Sequence, residues 1–296
     1  MNLIIAGVNK AGTTSLFSML AAHPEVCGSL VKETCYFLPI RYGGRIGPIQ
    51  DYERQFQHCG RHAYLMESTP GYFYGGKEIA EAIKETLGSV RVVVVLREPV
   101  SRAFSFFRFQ KAMLNLPEGM SFTEYVTACG SFELQDLRLQ ENNAYFGLEG
   151  GNYGKYLQDW VGIYGQELKI VFFEDLANAP QDSLGELLDW LGLDNCVDEE
   201  LTRSSENVTV AVRWRQFQRF ALTMNRHYES FFRRHPGVKW VLRRAYYSIN
   251  GDKKIEEFPE ETRRQLIEYY RASNRQARSV LSSQGYDNVP EWLSEV

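Results

Sequence analysis

The amino-acid sequence predicts an α/β fold, a single domain over residues 1–296 with a central, mostly parallel sheet flanked by helices. Three observations carry that expectation. Apolar runs of strand length stand at Leu3–Val8, Val90–Leu96 and Leu168–Phe173, with a shorter candidate at Ala63–Glu67. Each is followed by a loop and then by apolar residues at helical spacing, an alternation that implies parallel strands covered on both faces and ligands at the strand C-terminal ends. The first strand runs directly into a glycine-bearing turn and a helix start, the layout of a phosphate-binding loop.

The elements follow in order. Thr13–Ala22 has helical spacing through Leu16, Met19 and Leu20 and stops before Pro24; Ile79–Leu87 and Leu184–Leu191 repeat the pattern between strands. Pro99 suits the first turn of a helix after the Val90–Leu96 strand. The stretches Tyr42–Gly47, Tyr72–Gly76 and Tyr145–Gly154, rich in Gly and Tyr, read as long loops that shape a cleft. Pro259–Leu281, apolar at Leu266, Tyr269, Tyr270 and Ala277, reads as a docked helix, and Pro290 with Trp292 closes the fold.

Bulk properties narrow the function classes. A 296-residue chain with 44% hydrophobic residues can bury a sizeable core. No apolar run approaches the roughly 20 residues that span a bilayer, and the first strand starts almost at Met1, so no transmembrane segment or signal peptide is expected and a cytoplasmic location is. Five cysteines, odd in number and without a Cys-x-x-Cys pair, are read as reduced thiols. His58 and His62 sit four apart, but no third ligand accompanies them, and no metal is expected. Residues 203–244 hold ten Lys/Arg against two Asp/Glu, so a chain of net charge −4 carries about −12 outside that segment. With most of the chain acidic and no nucleic-acid module in it, a nucleic-acid partner is not expected. The basic segment serves either as a solvated helical face or to attract an anionic cofactor or acceptor.

The most informative stretch is Ile4–Ser15. Backbone N–H groups and the dipole at the N-terminus of the following helix favour an anion, and Lys10 adds a mobile charge. The loop is P-loop-like, with Gly7 and Gly12 correctly separated, but Thr13 stands where a P-loop lysine would follow the second glycine. A nucleoside triphosphate site needs that lysine on the outer phosphates. A second charged turn follows the Val90–Leu96 strand as Leu-Arg-Glu-Pro-x-x-Arg-x-x-Ser and supplies Arg97 and Ser105 for a second anion.

With the Lys-Ala-Gly-Thr-Thr loop, the Lys32-Glu33 pair, Thr69-Pro70 and the Arg97 to Ser105 run all in order, the sequence resembles the PAPS-dependent sulfotransferases, of bacterial type and distantly similar to the heparan sulfate branch. The resemblance covers Leu3 to about Leu193. It implies transfer of a sulfuryl group from PAPS, leaving adenosine 3′,5′-bisphosphate, to a hydroxyl of a saccharide, glycolipid or small natural product, without a metal. On that resemblance Lys10, Ala11, Gly12, Thr13, Thr14 and Ser15 hold the 5′-phosphosulfate, Arg97 and Ser105 grip the 3′-phosphate, and Arg213 is a further candidate for that grip. Arg suits phosphate through its planar fork; Arg102 is a weaker candidate, because a helix position three before Ser105 can simply face solvent.

Glu33 occupies the place of the glutamate that takes the acceptor proton in the heparan sulfate branch, provided that Tyr36 and Phe37 partly bury it. Lys32 would touch the transferring sulfonate, and Glu67, at the end of a short strand, is the competing carboxylate. Three positions depart from that branch: Ser68 replaces a lysine, Cys35 a histidine, and Thr14 an arginine that reads the sulfated sugar, which argues against a heparan-like acceptor. Trp214 and Phe217 are read as core aromatics. Two other readings remain at this point, a P-loop-like kinase or nucleotidase and a non-catalytic nucleotide-binding protein.

Overall fold

A computed structural model describes residues 1–196, 211–212, 214–228, 236–252 and 257–294. Its central sheet is built from β1 (Leu3–Gly7), β2 (Val26–Gly28), β3 (Tyr64–Ser68), β4 (Arg91–Leu96) and β5 (Leu168–Phe172), in the order β2-β3-β1-β4-β5. All four pairings are parallel, with Leu3 opposite Met66 on one side and Arg91 on the other. β1, the middle strand, is fully buried, as a parallel strand with both faces covered must be, and β4 is buried from Val92 to Leu96. The predicted parallel α/β architecture is the one observed, with strand ends shifted by at most one residue. β2 was not anticipated, because three residues at the sheet edge are too few to show periodicity.

The covering helices bury one apolar stripe each. These are α1 (Thr13–Ala21), α2 (Gly76–Leu87), α3 (Pro99–Ala112), α4 (Phe122–Gly130), α5 (Tyr153–Tyr164), α6 (Phe173–Asn178) and α7 (Pro180–Leu191). In α7 the stripe is Leu184, Leu187, Leu188 and Leu191, each contributing roughly 1.5–3 kcal/mol on burial. α8 (Arg215–His227) and α9 (Pro236–Asn250) lie in the basic part of the chain, and α10 (Glu260–Ser283) packs on α5 with Ser273 and Gln276 against Gly154. A two-stranded antiparallel pair, β6 (Ala211–Val212) with β7 (Gly251–Asp252), brackets the α8–α9 region. Val100, Ala103, Phe106, Phe107, Phe122, Tyr125 and Tyr270 form a second apolar cluster between α3, α4 and α10.

Several local expectations are corrected. Tyr72–Gly75 is a 3₁₀ turn whose three aromatic side chains are buried, and the Tyr145–Gly154 stretch is largely 3₁₀ turns running into α5, so neither is an open loop. Arg102 is fully buried: its guanidinium donates to the Gly147 carbonyl in a wall of tyrosines rather than facing solvent. Trp214 and Phe217 are exposed and not part of the core.

The cysteines are corrected too. Cys27 on β2 and Cys59, after the turn Arg54–Phe56, form a disulfide across a sequence separation of 32. The wide spacing hid this pair, which the edge strand brings into register with the returning chain. His58 Nε2 lies 3.5 Å from the Cys27 sulfur, so the only group among the described residues that could gather around an ion, Cys27, His58 and Cys59, has two of its members joined to each other. Cys35, Cys129 and Cys196 are free thiols.

Closing a loop of that length stabilises a fold by about 2–4 kcal/mol, mainly by restricting the unfolded chain. Cys27→Ser, or a strong dithiol reductant on the wild type, is therefore expected to lower the unfolding free energy in urea by about that amount, with no further loss when the two are combined. A midpoint unchanged by reductant would show that the bridge contributes nothing.

Candidate functional site

The two loops expected to bind anions are brought together by the pairing of β1 with β4. After β1 the chain turns through Lys10 at φ 71° and Gly12 at φ 80° before α1 begins. Gly12 is required twice over: its left-handed φ favours glycine, and a Cβ there would stand 2.9 Å from the Phe173 ring. Gly7 is required by close packing, since its Cβ would meet Phe73 at 2.6 Å. α1 has no side-chain cap and no acidic residue in its first turn, so its N–H groups and positive dipole end remain for an anion.

After β4 the chain turns at Arg97. Arg97 Nη1 donates to the Lys10 carbonyl at 2.9 Å, its guanidinium lies 4.3 Å over the Phe173 ring, and its own carbonyl accepts from Tyr153 Oη at 2.8 Å. Its Nε is buried without a hydrogen-bond partner. Glu98 caps α3 by accepting from Val100 N and Ser101 N, with Pro99 in the first turn as expected. Ser101, Ser105 and Arg108 then fall on one face of α3 at helical spacing.

Both loops open into one cavity of about 810 Å³, lined by Lys10, Gly12, Thr13, Thr14, Ser15, Glu33, Arg97 and Ser105 from among the expected residues. Ala11 is fully buried behind the loop; Lys32 and Glu67 do not line the cavity. Arg213 lies outside the described residues. Sequence reasoning missed Arg41, Asn143, Arg108 and the apolar wall of Phe104, Phe109, Phe173 and Leu176. The spacing of Arg108 from Ser101 and Ser105 was a readable signal; Arg41 and Asn143, from separate irregular segments, had none. Among the described residues four cations, Lys10, Arg41, Arg97 and Arg108, line the cavity against one carboxylate, Glu33. Burial, with the like charge of Arg97 next, brings the Lys10 ammonium down to about 8.

The two candidate carboxylates have opposite environments. Glu33 is 54% exposed and pairs with Lys32 at 3.1 Å. The aromatic burial expected for it is not provided, since Phe37 packs on Tyr36, Tyr52 and Tyr72 instead. Glu67 is fully buried at the end of β3, accepting from Thr34 Oγ1 at 2.5 Å, Tyr52 Oη at 3.0 Å and Thr69 Oγ1 at 3.0 Å. Burial pushes its carboxyl upward, opposed by these hydrogen bonds. Thr69 Oγ1 also accepts from Cys35 N at 3.2 Å, and Ser68 N donates to the Lys32 carbonyl at 3.1 Å. Glu67 and its neighbours thus anchor the Lys32–Cys35 loop from behind, with Cys35 held at φ 56° and its thiol pushed up to about 11 by burial.

The sequence and the fold are similar to those of known proteins. The chain is 24% identical over 299 residues to the bifunctional heparan sulfate N-deacetylase/N-sulfotransferase 2 of Bos taurus, an alignment covering 99% of this chain and 30% of that protein. It is 28% identical over 199 residues to the heparan sulfate glucosamine 3-O-sulfotransferase 3B1 of Mus musculus, covering 67% of this chain and 47% of the relative. The chain thus spans less than half the length of these curated relatives. A sulfotransferase from Alicyclobacillus acidocaldarius has the same fold, with a TM-score of 0.61 at 21% identity over 70% of this chain and 86% of that one. A model of the sulfotransferase domain matches residues 78–278, about two thirds of the sequence, and the chain belongs to that family.

Proposed function

We propose that the chain is a sulfotransferase moving a sulfuryl group from PAPS to a hydroxyl of a saccharide, glycolipid or small natural product. The observation that carries this is the meeting of Lys10, the uncapped N-terminus of α1, Arg97 and Ser105 in one cation-lined cavity. The fit to a doubly phosphorylated nucleotide is specific in its parts. The α1 N–H groups and Lys10 face one anion, and Arg97, Ser105 and Arg108 face a second. Phe173 and Leu176 offer an apolar wall for a base.

In the reaction the acceptor oxygen bonds to sulfur as the bond from sulfur to the 5′-phosphate oxygen breaks. Glu33 takes the acceptor proton, and Lys10 neutralises charge growing on the departing phosphate. Lys32, paired with Glu33 and mostly buried, holds that carboxylate at the cavity edge. Glu67 acts through the loop it anchors and is a positioning residue. Relatives named for heparan sulfate make a saccharide a reasonable acceptor class, while Thr14, Cys35 and Ser68 mark this acceptor site as different in detail.

Thermal-shift titration should show stabilisation by adenosine 3′,5′-bisphosphate; stabilisation by ATP with magnesium and not by the bisphosphate would overturn the reading. Lys10→Ala should slow sulfuryl transfer by about 10²–10³-fold. Glu33→Gln should slow it by about 10²–10⁴-fold while leaving bisphosphate affinity within a factor of two or so.

Bisphosphate affinity should also depend on pH through Lys10. The bound anion favours the ammonium form, so affinity is fully present below about 8 and falls as pH rises through that value. The dissociation constant should be about tenfold weaker at pH 9 than at pH 7, and Lys10→Ala should flatten that slope. A wild-type profile as flat as that of the variant would remove Lys10 from the phosphate site.

Glu67→Ala should cost about 1–3 kcal/mol in urea unfolding, because it strands buried hydroxyls, and should lower turnover with bisphosphate affinity retained. Loss of nucleotide affinity equal to the loss of turnover would contradict its anchoring role.

A further inference from the structure

Among the arginines of the described residues, Arg41 has an unusual combination of burial and missing partners. It ends the helical turn Leu38–Arg41 and is only 7% exposed. Its guanidinium lies 4.0 Å over the Phe146 ring and 5.3 Å from the rings of both Tyr42 and Tyr74. Nη2 is buried with no hydrogen-bond partner, and no acidic side chain among the described residues forms an ion pair with it. Arg97 and Arg102 also have buried nitrogens without partners, but each donates at least one hydrogen bond, Arg97 to the Lys10 carbonyl and Arg102 to the Gly147 carbonyl, whereas among the described residues no guanidinium hydrogen bond holds Arg41. A guanidinium withdrawn from water without a counterion is costly, and such groups are kept where a ligand supplies the partner.

Arg41 is among the residues that line the large cavity. Asn143, which also lines it, has a buried and unpartnered Oδ1. We propose that Arg41 is a specificity residue of the acceptor half of the cleft, reading a carboxylate on the acceptor, with Asn143 accepting from a neighbouring hydroxyl. The proposal rests on the reading of the cavity as a donor site joined to an acceptor site. Assignment to the acceptor half follows from position. Arg41 belongs to the same segment as Glu33, Cys35 and Leu38, whereas the donor phosphates have their own cations in Lys10, Arg97 and Arg108.

A carboxylate fits this guanidinium by its geometry. With one face of the guanidinium stacked on Phe146, recognition runs through the in-plane edge, where two parallel N–H donors match the two oxygens of a planar acid. The aromatic walls lower the local dielectric and so raise the selectivity against a neutral acceptor of the same shape.

The test uses two probes that differ only in the acid, p-nitrophenyl β-D-glucuronide and p-nitrophenyl β-D-glucoside. Their binding is measured by calorimetry on the full chain, with and without saturating adenosine 3′,5′-bisphosphate. The wild type should bind the glucuronide about 10- to 100-fold more tightly than the glucoside. Arg41→Met should abolish that ratio and Arg41→Lys should keep only part of it, both with unchanged bisphosphate affinity and an unchanged circular dichroism spectrum. Absence of a glucuronide preference in the wild type, whether both probes bind equally or neither binds at millimolar concentration, overturns the proposal. So does a preference that survives Arg41→Met, or a loss of bisphosphate affinity in that variant, which would place Arg41 on the donor. Failure of the wild type to bind the bisphosphate counts against the donor reading alone, and the glycoside ratio without nucleotide still judges Arg41.

Discussion

The hydrogen bond from Arg97 to the Lys10 carbonyl is the contact on which the rest of the site depends. It ties the loop after β1 to the turn after β4, two segments separated by more than eighty residues that only parallel pairing makes neighbours. Lys10 holds a left-handed backbone conformation that a non-glycine residue adopts at a cost, and such conformations persist where surrounding structure fixes them. Arg97 does the fixing on one side and Gly12, packed beneath Phe173, on the other. Arg97 is itself held by its stacking on Phe173 and by Tyr153 on its carbonyl. The lysine that left the usual P-loop position therefore sits in a braced loop, and its brace is Arg97, the residue proposed for the second anion.

A similar logic separates the two carboxylates. Glu67 takes hydroxyl hydrogen bonds from Thr34, Tyr52 and Thr69 and is sealed from the cavity, so its value lies in rigidity. Glu33 lies one residue from Thr34 yet is exposed at the cavity rim. A proton acceptor must reach solvent and substrate, and an anchor must not. One short loop satisfies both needs because Thr34 points back to Glu67, the Cys35 backbone is held by Thr69, and Glu33 opens toward the cleft.

How much of this was legible in the sequence depended on what each feature rests on. The long strands were readable because burial on both faces leaves continuous apolar runs, and the cavity-lining loop residues because strand, turn and helix start are contiguous. Features made by chain segments far apart were not. The Cys27–Cys59 bridge depends on a three-residue edge strand, and the burial of Arg102 depends on a wall of tyrosines drawn from Tyr74 to Tyr270. Glu33 was expected to gain burial from Tyr36 and Phe37, but those rings found better partners in Tyr52 and Tyr72. Adjacency in sequence did not give adjacency in space. Trp214 and Phe217 show the reverse limit, since large aromatics on an amphipathic helix are not obliged to be buried.

The electrostatics of the cleft connect these parts. Burial first, and then the like charges of Arg97 and Arg108, depress the Lys10 ammonium. An anionic nucleotide relieves that repulsion, and because it binds only the folded arrangement it stabilises the fold by the same free energy. Arg41 adds a further cation to the cavity lining, from a segment separate from the two loops proposed for the donor phosphates. A cleft built to hold one anion would not gain from a further buried guanidinium, since its desolvation would oppose folding without return. The burden becomes intelligible if the second molecule in the cleft carries a charge of its own, so that donor and acceptor each neutralise the wall they face.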